Sequence, residues 1–105
     1  MRILFDHGTP KPLSHYLSEH VVDTAVERGW SELSNGELLD HAERDGFQVL
    51  ITTDQNMRYQ QNLSHTRIAI VVLLSNRWPR VRLRIDEIRA VLDGMQPGEL
   101  KVVPI

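Results

Sequence analysis

The stretch Val49-Leu50-Ile51-Thr52-Thr53-Asp54-Gln55-Asn56 decides how the rest of the chain is read. Apolar and β-branched residues run without a break and then give way to an acid and two amides. A strand buried on both faces of a parallel sheet has this pattern, ending with a carboxylate delivered to the rim. Side chains at the carboxyl ends of such strands face the crevice where open α/β sheets bind ligands. Residues Arg2-Ile3-Leu4-Phe5 run into Asp6 in the same way. Two short strands, each ending in aspartate, predict a site at one edge of a sheet.

The punctuation of the chain marks the other elements. After the first strand (residues 2–6), Gly8, Pro10 and Pro12 break the run, and 13–17 reads as a short helix started through proline. Residues 20–24 form a second strand, and 25–28 a helical turn that Gly29 stops. Ser34 and Glu37 have the S-x-x-E spacing of a capping box. Leu38, Leu39 and Ala42 give the helix that follows an inward face, until Gly46 ends it. The third strand spans 48–53, and a short polar helix runs from about Gln55 to about Leu63. Residues 68–74 are solidly apolar, which predicts an interior strand.

Downstream, Val81, Ile85, Ile88 and Leu92 fall on one stripe of a helix over about 80–93, stopped at Gly94. Residues 99–103 close the sheet at an edge, because Pro104 follows. Strands alternating with helices predict an α/β protein, a three-layer α/β/α sandwich. Its sheet is small and mainly parallel, with right-handed crossovers. Residues 1–105 read as a single domain, with no internal repeat or linker.

Bulk composition narrows the function. A net charge of −2 argues against a generally basic nucleic-acid binder, so any contact with a polyanion needs a local patch. The absence of cysteine removes disulfides, thiolate metal sites and thiol nucleophiles, and with them any sign of export. No signal-peptide pattern opens the chain, and the apolar run from Ile68 to Leu74 is too short to cross a bilayer. A cytoplasmic protein without membrane contact is expected.

Asp6 and Asp54 would share an edge if their strands are neighbours. Two close carboxylates repel, and a hard divalent ion such as Mg²⁺ or Mn²⁺ relieves the repulsion. Such an ion generates hydroxide from bound water and stabilises charge on a phosphoryl oxygen. Each aspartate also has a structural role open to it, since an acid before a helix is a favoured N-cap. Glu37 is a third candidate, and its own alternative is specific: it is the reciprocal partner of Ser34 in the capping box. His7 is placed to act as a base beside Asp6, although alternation sends neighbouring strand residues opposite ways. His41 stands one helical turn after Glu37.

For substrate contact, Arg77, Arg80, Arg82 and Arg84 cluster around Trp78 just after the apolar strand. Arginines can hold phosphates and an aromatic ring can stack on an unpaired base. A solvated helix face and a packing tryptophan explain the same residues. Tyr59 and Gln60 follow Asp54 closely enough to line its site.

The succession Ile3-Leu4-Phe5-Asp6, Asn35-Gly36-Glu37-Leu38-Leu39 and Leu50-Ile51-Thr52-Thr53-Asp54-Gln55-Asn56 resembles the PIN-like domains, in a short bacterial branch. Gln60-Gln61-Asn62-Leu63 and the run Ile68–Leu73 are similar to that branch too, so the likeness covers nearly the whole chain. The resemblance implies a Mg²⁺- or Mn²⁺-dependent endoribonuclease, in many members the toxin of a toxin–antitoxin pair. It implies RNA as substrate, an antitoxin as partner and a homodimer as an allowed assembly. It also implies that Asp6, Glu37 and Asp54 hold the metal. Many members add an acid two residues past the third, and here Asn56 stands in that place. A neutral amide lowers the charge of the site and weakens metal binding. The alternative within the family is therefore a catalytically weak or inactive module that binds RNA or protein. A phospho-acceptor receiver domain also ends a strand in aspartate. It wants an acidic pair after the first strand, where Asp6 is followed by His7, and a late Lys-Pro that is missing here.

Overall fold

Two strands of this chain bury every side chain, and a third does so for all but its first residue. β1 (Arg2–Phe5), β2 (Val21–Thr24), β3 (Val49–Thr52), β4 (Ala69–Leu73) and β5 (Leu100–Val103) form one sheet, in the order β2-β1-β3-β4-β5. Every neighbouring pair is parallel. This computed structural model describes residues 1–59 and 66–105. The expected α/β class and parallel sheet are therefore present, with each strand within two residues of its predicted bounds.

Alternation along the strands divides the core. Ile3, Phe5, Val49, Ile51, Val71 and Leu73 face one side. Leu4, Leu50, Ile70 and Val72 face the other. On the first side lie a 3-10 helix (Lys11–Tyr16) and a later pair of helices, α2 (Trp78–Val81) and α3 (Ile85–Gly94), joined by a 3-10 turn at Arg82–Arg84. On the second side lie α1 (Asn35–Arg44) and a 3-10 helix (Gln55–Tyr59) that contributes Met57. The latter is what the described residues contain of the polar helix expected to reach Leu63. Residues 60–65, Gln60 among them, lie outside the described residues.

The helix expected over 80–93 is broken. Its inward stripe is kept, with Val81, Ile88 and Leu92 buried and Ile85 half-buried. The middle turn tightens to 3-10 and leaves Leu83 81% exposed. Crossover handedness also departs from expectation. The β1–β2 and β4–β5 connections both pack on the first side of the sheet yet step across it in opposite directions. Two parallel crossovers with that relation have opposite hands. α1 carries the β2–β3 connection on the second side, stepping opposite to β1–β2, and so shares its hand. The β4–β5 connection is the odd one, against a strong general preference for right-handed crossovers. α3 supplies Ile88 and Leu92 to the cluster that buries Val71, Leu73 and Val103.

Among the described residues, no helix is long and apolar enough to cross a membrane. Strand order reverses direction at β1, because the chain passes from β1 out to β2 and then back across to β3. The carboxyl ends of β1 and β3 flank that switch point, the place where open α/β sheets bind ligands.

Candidate functional site

Asp6, the residue that follows β1, is buried, only 6% exposed. Burying a charge is costly unless hydrogen bonds replace its water, and here they do. Oδ1 accepts the Gly8 backbone N–H at 3.1 Å and lies 2.9 Å from the Thr9 hydroxyl. Thr9 Oγ1 is also 2.8 Å from the Ile51 carbonyl, so its proton is shared between β1's loop and β3. Oδ2 accepts the hydroxyl of Thr52, a fully buried residue at the end of β3. The loop that supplies these donors needs glycine at position 8. A Cβ there would meet Thr53 Oγ1 at 2.7 Å, and the β-branched Thr53 has little freedom to give way.

Thr52 ties the two aspartates together. While its hydroxyl donates to Asp6, its oxygen accepts the backbone N–H of Asp54 at 3.0 Å. The half-buried Asp54 carboxylate is itself held at both oxygens. Oδ1 accepts the Asn56 backbone N–H at 2.9 Å, and Oδ2 accepts the Asn35 side-chain amide at 3.2 Å. The expectation that Asp6 and Asp54 share an edge is therefore met, with Thr52 between them.

Glu37 stands apart. Its Oε1 accepts the Ser34 backbone N–H at 3.1 Å while its own N–H donates to Ser34 Oγ at 3.3 Å, which completes the capping box. The Ser34 backbone bond, then the Ser34 hydroxyl and the charge of His41, hold its carboxyl below the usual carboxylate range, with desolvation opposing. His41 does not pair with that carboxylate: its Nδ1 lies 2.8 Å from the Glu37 carbonyl oxygen, and its ring packs edge-on against Trp30. Among the described residues, no three His, Cys, Asp or Glu side chains gather closely enough to hold a metal ion.

The other sequence candidates are spread along the same rim. Asn56 is exposed and reaches Asp54 through its backbone N–H, and Tyr59 is 72% exposed. Trp78 is half-buried against the core of the first side, with its ring centroid 5.8 Å from that of Tyr16, so it serves packing. Arg77 and Arg80 are exposed and make no ion pair among the described residues. His7 is exposed. Sequence reading missed Thr9, Asn35 and Thr52, the three side chains that hold the aspartates.

The two carboxylates are the only charged oxygens at this rim among the residues described above, and carboxylates are ligands that hard divalent cations take; in this structure N–H and O–H donors occupy them. Glu37 does not fit that set as it stands, because its carboxylate is committed to the helix end. A separate cleft of about 480 Å³ opens at the opposite, amino end of the sheet, between Met1, Phe47, Val49, Ile68 and Met95. Its one acid, Glu43, accepts the Arg67 backbone N–H. Comparison of the chain with protein-family models, with curated proteins and with solved structures finds no match to any of them.

Proposed function

We propose that the chain is a PIN-like, divalent-metal-dependent endoribonuclease whose Mg²⁺ or Mn²⁺ is held by Asp6 and Asp54. The observation that carries this reading is the pair itself: two aspartates at adjacent strand ends by the switch point, the Asp6 carboxylate joined through the Thr52 hydroxyl to the backbone N–H of Asp54. When bound, the ion supplies Lewis-acid polarisation of a phosphodiester and an acidified water. The chain's own residues supply placement. Gly8, Thr9 and Thr52 hold the Asp6 carboxylate in one orientation, so it pays little to reorganise. Asn56 fixes Asp54 by its backbone and presents a neutral side chain to solvent. Arg80 on α2 and Arg77 just before it, both exposed, offer guanidinium groups to RNA phosphates. A toxin role with a protein antitoxin, a cytoplasmic site of action and a homodimer complete the proposal.

One observation favours a second reading, a module that binds RNA or a protein without cutting. Glu37 is spent on the helix cap and Asn56 brings no charge, which leaves two carboxylates where three or four would make a strong metal site. Incubating the protein with single-stranded and structured RNA, in Mn²⁺ and in EDTA, separates the readings. Cleavage in Mn²⁺ that vanishes in EDTA and in both Asp6→Asn and Asp54→Asn is the expected result. Retained RNA binding with no cleavage under any condition supports the second reading. Cleavage undiminished in both variants shows that the activity comes from elsewhere.

A further inference from the structure

We infer that the cleft at the amino end of the sheet is a binding site for a small apolar molecule that carries a carboxylate. The inference is independent of the rim, which lies at the other end of the sheet. The cleft forms where the two cores run out together. Val49 and Ala69, the first residues of β3 and β4, line it together with Met95, which packs on their first-side cluster. Phe47 and Ile68 line it from the second-side cluster. At about 480 Å³ it falls within the range of small-molecule sites, which are mostly apolar with a few placed polar groups. An apolar body that displaces water from such walls gains free energy in proportion to the area it covers.

The polar groups at the cleft decide what that body carries. The one acid, Glu43, already accepts the Arg67 backbone N–H at 2.9 Å. The Gln48 carboxamide oxygen accepts the Arg2 backbone N–H at 3.0 Å, so the end it has left over is its NH₂ group, a donor. Arg67 is exposed and makes no ion pair among the described residues, and residues 60–65 contain neither aspartate nor glutamate. Gln96, the remaining polar side chain, is exposed and neutral. A cationic group entering the cleft would meet a guanidinium and an amide donor, with one carboxylate that is already hydrogen-bonded. A carboxylate would meet two donors, one of them a fork that matches both of its oxygens. A bare inorganic anion would leave the apolar walls wet, so the frame matters as much as the charge.

Calorimetric titration of the purified full chain with three probes that share one frame tests this: naphthoate, the neutral naphthylmethanol and the cationic naphthylmethylamine. Naphthoate is expected to bind about tenfold more tightly than the other two, the scale of one charge-assisted hydrogen-bonded contact. Arg67→Gln changes an exposed side chain and is expected to bring naphthoate down to the level of the alcohol. Ala69→Met adds bulk to the cleft and is expected to abolish binding of naphthoate and alcohol alike. Should Ala69→Met fail to fold, Gln96→Trp blocks the same cleft from an exposed position. Equal affinity for the three probes, or undiminished naphthoate binding in Arg67→Gln, overturns the assignment of an anionic ligand. No naphthoate binding by the wild type, or binding unchanged once the cleft is filled, overturns the site itself.

Discussion

Thr52 is the residue on which the rim depends most, and its side chain is a hydroxyl buried at 0% exposure. It donates to Asp6 and accepts from the Asp54 backbone, so its loss leaves one carboxylate oxygen and one N–H unpaired in a site with little water. Thr52→Val keeps the shape and removes both bonds. The expected cost is about 2 kcal/mol, measured as a lowered urea midpoint at unchanged slope, with Thr52→Ser recovering most of it. A midpoint for Thr52→Val equal to that of the wild type would mean that the hydroxyl holds nothing. None of this was legible in the sequence. In a strand, Thr52 reads as one more β-branched residue, and nothing local tells a threonine that packs from one that binds. Asp6 and Asp54 were legible because an apolar run that stops dead at an acid leaves the acid only the rim to occupy. Asn35 was hidden for a different reason: its partner lies 19 positions away, and only the parallel pairing of β1 and β3 brings α1's first turn over Asp54.

At the scale of elements, α1 is the best-specified part of the chain. Both reciprocal bonds predicted from Ser34 and Glu37 are made, and the helix ends at Arg44, two residues before Gly46, whose φ of 81° suits glycine. Glu37's carboxyl titrates below its ordinary value of 4.5 because the folded state gives it the Ser34 N–H to accept. A group with a depressed folded value contributes stability that is fully present above the unfolded value and lost as pH falls through the folded one. The gap in melting temperature between the wild type and Glu37→Ala is therefore expected to be widest near neutrality and to narrow as pH drops below 4.5. A gap constant across that range would mean that the charged form gains nothing from the cap. The helix expected over 80–93 shows the opposite case. Residues three and four apart share a side in both α and 3-10 geometry, so an apolar stripe reports the face and not the pitch. The stripe of Val81, Ile85, Ile88 and Leu92 is right, and the break at Arg82–Arg84 is invisible to it.

For the molecule as a whole, the rim is where a ligand gains leverage over stability. Asp6 belongs to the loop after β1 and Asp54 follows β3, so on the proposed reading one ion bound between them would join the two strand ends. A ligand that binds only the folded chain raises its stability by RT ln(1 + L/Kd), where L is the free ligand concentration. At a Mn²⁺ concentration ten times the dissociation constant, the gain is about 1.4 kcal/mol, or about 5–10 °C in melting temperature for a domain of this size. Addition of EDTA should return the protein to its starting value. Asp6→Asn is expected to melt lower than the wild type even without metal, because the carboxylate that three donors converge on is replaced by an amide that cannot accept them all. Its response to Mn²⁺ should also be lost, as should that of Asp54→Asn. An equal Mn²⁺ shift in the wild type and in both variants would place the ion elsewhere on the surface. The rim would then be a hydrogen-bonded strap between β1 and β3, its acids spent on holding the sheet's own loops in place.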